Sequence, residues 1–336
     1  PFLKVSQRMN DSWGRQIQYL RISVTDRCNL RCVYCMPPEG IAWQPHTSIL
    51  TYEEIAAVVR AAAAHGIRQV RLTGGEPLIR KGLERLVEML AAIPGIEDIA
   101  LTTNGSLLAG QAARLASAGL RRVNISLDTL RPERYTRITR GGSIERVWEG
   151  IQAAEDCGLE PVKINVVAAR GLNDDELEDM AALALRHPWH VRFIELMPMQ
   201  NQRRWGDDLP DPASAFIGVN EILARLAHLH PEPVEDTIGL GPAREYRLPG
   251  APGRIGLISP LSDHQFCRRC NRLRLTADGS LRPCLMSDAE IPLRDALRAG
   301  EEIDNLIRRA VEGKPRQHHL AEHAYPTGRF MTQIGG

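Results

Sequence analysis

The stretch LRISVTDRCNLRCVYCMP, residues 20–37, decides how the chain is read. It opens as a β-rich run, predicted as a strand over residues 19–25, and passes directly into a loop carrying Cys28, Cys32 and Cys35. Three thiolates spaced by three and then two residues can converge on one face of a metal centre. A structural zinc site needs four protein ligands, and the nearest candidate for a fourth is His46. A cubane iron–sulfur cluster held by three cysteines keeps one iron open for a ligand.

Outward from this stretch, strand-like and helix-like segments alternate. Thr51 and Glu54 form a capping box that opens a helix to residue 64. Strands are predicted over 69–72, 99–102, 122–127, 162–167 and 191–195. Helices are predicted over 83–92, 109–118, 143–157, 174–186 and 219–229. Six βα units are too few for a complete eight-fold barrel, so the fold class is α/β, an incomplete TIM-type barrel of six units. A doubly wound sheet is the alternative, and both place ligands at the carboxyl ends of the strands. From Pro231 the rhythm fades and Pro and Gly become dense. The expected division is residues 1–230 as the partial barrel and 231–336 as a C-terminal extension, with helices over 292–298 and 302–312.

That extension carries a second triplet, HQFCRRCNRLRLTADGSLRPC, residues 264–284. Thirteen residues separate Cys270 from Cys284, and a hairpin turning at Asp278–Gly279 would return Cys284 to Cys267 and Cys270. On spacing alone, zinc completed by His264 and a second cubane with an open iron both remain. Arg272 and Arg274 alternate with Leu273 and Leu275, which puts the two arginines on one strand face, and guanidinium forks suit phosphates. Cys157 stands apart in a helical pattern and reads as an inert buried residue.

The composition narrows the classes further. The chain has 336 residues, 43% hydrophobic and 25% charged, with a net charge of +1, so any anion site must be local. Six of seven cysteines in two tight triplets argue against a disulfide scaffold and for thiolates kept for metal in a reducing, cytoplasmic setting. No apolar stretch approaches the length of a membrane span, and the first residues show no secretory pattern. The basic residues of the second triplet lack interleaved aromatics, which speaks against nucleic acid as a partner.

The CxxxCxxC motif at Cys28, Cys32 and Cys35, with Tyr34 before the last cysteine, resembles the signature of the radical S-adenosylmethionine superfamily. RLTGGEPLIR, residues 71–80, resembles its glycine motif. The pieces LTTNGSLL, NISLDTL, VKINVV, RFIELMPM, CRRCNRLRLTADGSLRPCL and the closing Gly335–Gly336 resemble one family within it, the GTP 3′,8-cyclases of molybdenum cofactor synthesis. That resemblance implies two 4Fe–4S clusters, S-adenosylmethionine as cofactor and GTP as substrate. Cys28, Cys32 and Cys35 would hold the first cluster and Cys267, Cys270 and Cys284 the second. Tyr34, Gly75, Glu76, Ser126, Asn165 and Met197 would line the S-adenosylmethionine pocket. Arg21, Arg71, Thr102, Lys163, Arg272, Leu273 and Arg274 would hold GTP, Leu273 through its backbone. Gly335 and Gly336 would be catalytic equipment rather than a frayed end. The implied product is (8S)-3′,8-cyclo-7,8-dihydroguanosine 5′-triphosphate. The implied partners are an external electron donor and, for the product, cyclic pyranopterin monophosphate synthase, with a homodimer as a compatible assembly.

Overall fold

The computed structural model describes residues 9–199, 205–235, 241–322 and 325–335. In chain order the barrel portion runs β1 (Tyr19–Ser23), α1 (Tyr52–Ala64), β2 (Gln69–Thr73), α2 (Leu83–Ala91), β3 (Asp98–Thr103), α3 (Ala112–Ser117), β4 (Arg122–Ser126), α4 (Pro132–Thr139), α5 (Ile144–Asp156), β5 (Lys163–Ala168), α6 (Leu177–Arg186), β6 (His190–Glu195) and α7 (Val219–Arg225). There follow β7 (Glu232–Val234), β8 (Arg244–Arg247), β9 (Arg254–Ile258), β10 (Arg272–Leu275), β11 (Ser280–Arg282), β12 (Ile291–Pro292), α8 (Arg294–Arg298) and α9 (Asp304–Glu312).

All the strands join one sheet in the order β12-β11-β10-β1-β2-β3-β4-β5-β6-β9-β8-β7. The six βα units occupy its centre, every neighbouring pair parallel. The downstream segment adds a parallel strand to each side, β10 beside β1 and β9 beside β6. The doubly wound alternative is therefore set aside: the strands follow chain order across the centre without reversing. The predicted hairpin is present, β10 pairing antiparallel with β11 around Gly279 at φ +84°. The predicted capping box is also present, with the Glu54 amide on Thr51 and the Thr51 amide on Glu54.

The strands do not read as uniform apolar runs, as sheets buried on both faces usually do. They alternate. Leu20, Ile22, Val70, Leu72, Leu101, Val123, Ile125, Ile164, Val191 and Phe193 join the apolar core with the helices. Arg21, Arg71, Thr102, Asn124, Lys163, Asn165 and Arg192 occupy the intervening positions and so face away from the helices. Arg71, Asn124, Lys163 and Arg192 are nevertheless buried, which requires the sheet to curl around them. Enclosing so many polar groups is costly unless they have partners or a ligand.

Two expectations need correcting. α4 lies between β4 and the predicted helix, where a plain link was expected; Tyr135 and Ile138 are its apolar anchors. Cys157 caps the end of α5 half-buried against the core rather than within it.

Candidate active site

The loop after β1 brings Cys28, Cys32 and Cys35 together. Its backbone is pinned to the end of α4, with the Arg31 amide donating to the Thr139 carbonyl (3.1 Å) and the Val33 amide to that of Ile138 (2.9 Å). The Cys35 amide closes a turn on the Cys32 carbonyl (2.9 Å), and Val33 anchors the loop in a small apolar cluster with Ile138, Leu172 and Trp205. Burial is the main influence on these thiols. It pushes Cys28 up to about 11 and Cys35 to about 12, and drives Cys32 well above its usual value. The nearby carboxylates Glu76 and Asp128, and the sulfurs themselves, add to the effect.

Gly74 and Gly75 are required by the approach of the β2 turn to this loop. A Cβ on Gly75 would lie 2.1 Å from the Arg27 carbonyl oxygen, and one on Gly74 would lie 2.7 Å from that of Thr25. The Gly75 and Glu76 amides donate to those same carbonyls, both at 2.8 Å. Glu76 is buried, and its carboxylate accepts from the Leu78 and Asn104 amides and the Thr103 hydroxyl; burial raises it to about 7. The Tyr34 hydroxyl donates to Asp128 (2.6 Å), whose other oxygen accepts from the Val167 amide. Ser126, at the end of β4, and Asn165, within β5, are register partners, and the buried Asn165 Oδ1 has no hydrogen-bond partner. Met197 follows β6 and packs against the same apolar cluster as Cys35.

The second triad forms where the β10–β11 hairpin returns Cys284 to Cys267 and Cys270. All three thiols influence one another electrostatically. Burial raises Cys267 and Cys284. Burial also opposes ionisation of Cys270, but Arg272 and Lys314 override it and bring that thiol down to about 6. The Arg272 guanidinium lies 3.6 Å from the Cys270 sulfur.

Between the triads runs the polar sheet face. Arg274, Arg21 and Arg71 sit side by side across β10, β1 and β2, and Arg272 is level with Tyr19. That row continues to Ala100 and Arg122, and Thr102, Asn124 and Lys163 form a second row across β3, β4 and β5, two residues nearer the carboxyl ends on the same face. Burial lowers Arg21 to about 10, with Arg71 and Arg272 contributing, and it lowers Lys163 to about 6, with Arg192 and Arg122 contributing. The Thr102 hydroxyl and the Arg71 Nε are buried without a hydrogen-bond partner. Leu273 turns its side chain into the apolar core, which leaves only its backbone toward this face.

The tail reaches the same place. Arg274 donates to the carbonyls of Ile334 (3.1 Å) and Gly335 (2.9 Å), and the Thr332 hydroxyl donates to the Asp26 carbonyl. Gly335 has φ +72°, and a Cβ there would lie 2.6 Å from Thr73 Cγ2. Arg329 locks the segment by pairing with Asp278 and Glu290. Gly336 lies outside the described residues. Cys35, Cys284, Met197 and Met286 pack in one cluster with Met331 and Ile334, so both triads and the tail border one space.

Sequence reasoning missed Arg192, although its place between Val191 and Phe193 marks it as facing the polar side. Its guanidinium is held by Glu245 of β8 (2.8 Å), which also meets His190. Lys314 was missed as well, and nothing local distinguishes it.

The donor sets fit iron–sulfur clusters. All seven cysteines are free, and each triad offers three sulfurs from a backbone held in place. His46 and His264, the fourth ligands that zinc would need, are both exposed. Among the described residues, no three His, Cys, Asp or Glu side chains close around a single ion.

Comparison with known proteins agrees. Residues 22–184 match the model of the radical SAM superfamily, and residues 189–320 match that of Molybdenum Cofactor Synthesis C. A GTP 3′,8-cyclase of Pelotomaculum thermopropionicum is 54% identical, over 98% of this chain and 100% of the relative. One from Moorella thermoacetica is 53% identical with the same coverage. Among solved structures, Streptococcus suis SuiB bound to S-adenosylmethionine shares the fold at a TM-score of 0.60 and 13% identity, covering 87% of this chain and 68% of that one. With its two cysteine triads, its polar inner face and relatives matched along nearly its whole length, the chain belongs to the GTP 3′,8-cyclase family of the radical SAM superfamily.

Proposed function

We propose that this enzyme converts GTP to (8S)-3′,8-cyclo-7,8-dihydroguanosine 5′-triphosphate, with S-adenosylmethionine at the first triad and GTP at the second. The observation that carries the assignment is the row of cations and unpartnered polar atoms joining two triads across one enclosed sheet face. When bound, a cluster on Cys28, Cys32 and Cys35 would pass one electron from an external donor to S-adenosylmethionine and so supply an adenosyl radical for the C3′ hydrogen of GTP; C3′ could then bond to C8, a second electron and a proton completing the dihydro product.

The chain's residues do the rest by holding and shielding. Cys267, Cys270 and Cys284 would hold a second cluster whose open iron accepts the guanine. Arg21, Arg71, Lys163, Arg272 and Arg274 would bind the triphosphate, for which guanidinium forks are suited. Thr102 offers a buried hydroxyl to the same ligand. Tyr34, Gly75, Ser126, Asn165 and Met197 would orient S-adenosylmethionine. Glu76 supports that pocket from beneath, since its oxygens already hold the turn. Gly335, seated against Ser23 and Thr73, would set the ribose so that C3′ faces the radical, where small displacements cost much rate.

The test is anaerobic. Reconstituted enzyme should carry about eight irons and eight sulfides per chain. Incubated with GTP, S-adenosylmethionine and dithionite, it should release 5′-deoxyadenosine and the cyclised nucleotide in equal amounts. Four irons, or 5′-deoxyadenosine without cyclised nucleotide, would overturn the assignment.

A further inference from the structure

Lys314 lies just beyond the end of α9, 30 residues after Cys284, yet it is buried against the second triad, with 3% of its surface exposed. Its ammonium donates to the carbonyl of Pro283 (2.6 Å), the residue before Cys284, and to that of Arg272 (2.7 Å), two residues after Cys270. One side chain thus ties together the two chain segments that bring the cysteines to one place. It also acts electrostatically on Cys267, Cys270 and Cys284 alike. Its hydrogen-bond partners are neutral carbonyls, and among the described residues it forms no ion pair with a carboxylate. A buried cation needs a counter-charge, and the groups in reach that can supply one are the three sulfurs.

We propose that Lys314 is a positioning residue and the fixed counter-charge of the group held by Cys267, Cys270 and Cys284, making that group easier to reduce. This rests on the reading of the second triad as an iron–sulfur site. The cause is Coulombic: adding an electron to a centre beside a fixed positive charge in a poorly screened interior is favoured. Arg272 cannot take the whole of this role, because it also faces the substrate side of the sheet beside Tyr19.

The experiment uses full-length protein in which Cys28, Cys32 and Cys35 are all replaced by Ala, so that iron signals come from the second triad. Lys314→Gln keeps a donor group without the charge, and Lys314→Arg keeps the charge with altered geometry. Iron and sulfide are counted, and the midpoint potential is followed by electron paramagnetic resonance during reductive titration. In Lys314→Gln the equilibrium for reduction should fall by about tenfold, a downward shift of about 59 mV for one electron. Lys314→Arg should stay near the parent. If Lys314→Gln fails to hold iron while Lys314→Arg holds it, the requirement for the charge is equally supported. Equal potentials in the parent and Lys314→Gln would overturn the proposal, as would equal loss of iron from both variants. A parent that binds no iron would instead remove the reading of the second triad, and this inference with it.

Discussion

The two cysteine triads border one space, yet they sit in opposite electrostatic surroundings. The charged groups that weigh most on the first are carboxylates, Glu76 and Asp128, with Arg140 the cation near Cys32, and its thiols are all raised. Those acting on the second include Lys314, Arg272 and Arg15, and its central thiol is lowered to about 6. Carboxylates favour a cationic ligand, such as the sulfonium and ammonium of S-adenosylmethionine, and cations favour an anionic one, such as a triphosphate. In the reading proposed above, these neighbours rather than the cysteines would distinguish the two similar ligand sets.

The harshest way to break the comparison is to remove one sulfur from each side. Cys32→Ala should abolish 5′-deoxyadenosine formation altogether. Cys270→Ala should retain some uncoupled cleavage of S-adenosylmethionine and form no cyclised nucleotide. Equivalent losses of both products in both variants, read by mass spectrometry, would show that the triads are not divided in this way.

Next in size is the tail between them. Gly335→Ala forces an L-residue into the left-handed region and drives a methyl toward Thr73. Cyclised nucleotide should fall roughly a hundredfold, as expected when a reacting atom is misplaced, with iron content and GTP binding kept. A wild-type yield would show that the tail is only packing.

The arginine row sharpens the contrast further. Arg71→Ala should weaken GTP binding by roughly tenfold to a hundredfold, the loss of a charge-assisted contact of about 1.5–3 kcal/mol. S-adenosylmethionine binding should hardly change; anaerobic calorimetry with each ligand reads both. A smaller effect is expected where the tail is latched. Arg329→Ala releases Asp278 and Glu290 together, and product yield should fall by about tenfold or less, as for a partly exposed charge network.

The smallest effect is a proton. Lys163, lowered to about 6, is largely neutral at pH 7.5 without ligand. A triphosphate beside it favours the ammonium, so binding GTP should take up about one proton and weaken as pH rises above 6. Calorimetry in buffers of different ionisation enthalpy measures the uptake, and Lys163→Met should remove it.

Much of this was legible before folding. The alternation of Arg272 and Arg274 with Leu273 and Leu275, the capping box at Thr51 and the turn at Gly279 are local, and their signals lie within a few residues of where they act. α4 was not legible, because its apolar anchors are only Tyr135 and Ile138, too few to set a helical period. Its last carbonyls nonetheless hold the first cysteine loop. Glu245 was invisible for a different reason: it reaches Arg192 only because β8 pairs with β9 and β9 with β6.

By itself, the sequence determined which atoms could ligate and which residues share a strand face, since spacing along a chain sets both. Only the tertiary structure decided which charge stands beside which sulfur. Lys314 reaches its triad from beyond α9, and Arg329 crosses from the tail to Asp278. Coulomb interaction depends on distance and on the exclusion of water, and neither is encoded at any one position of the chain.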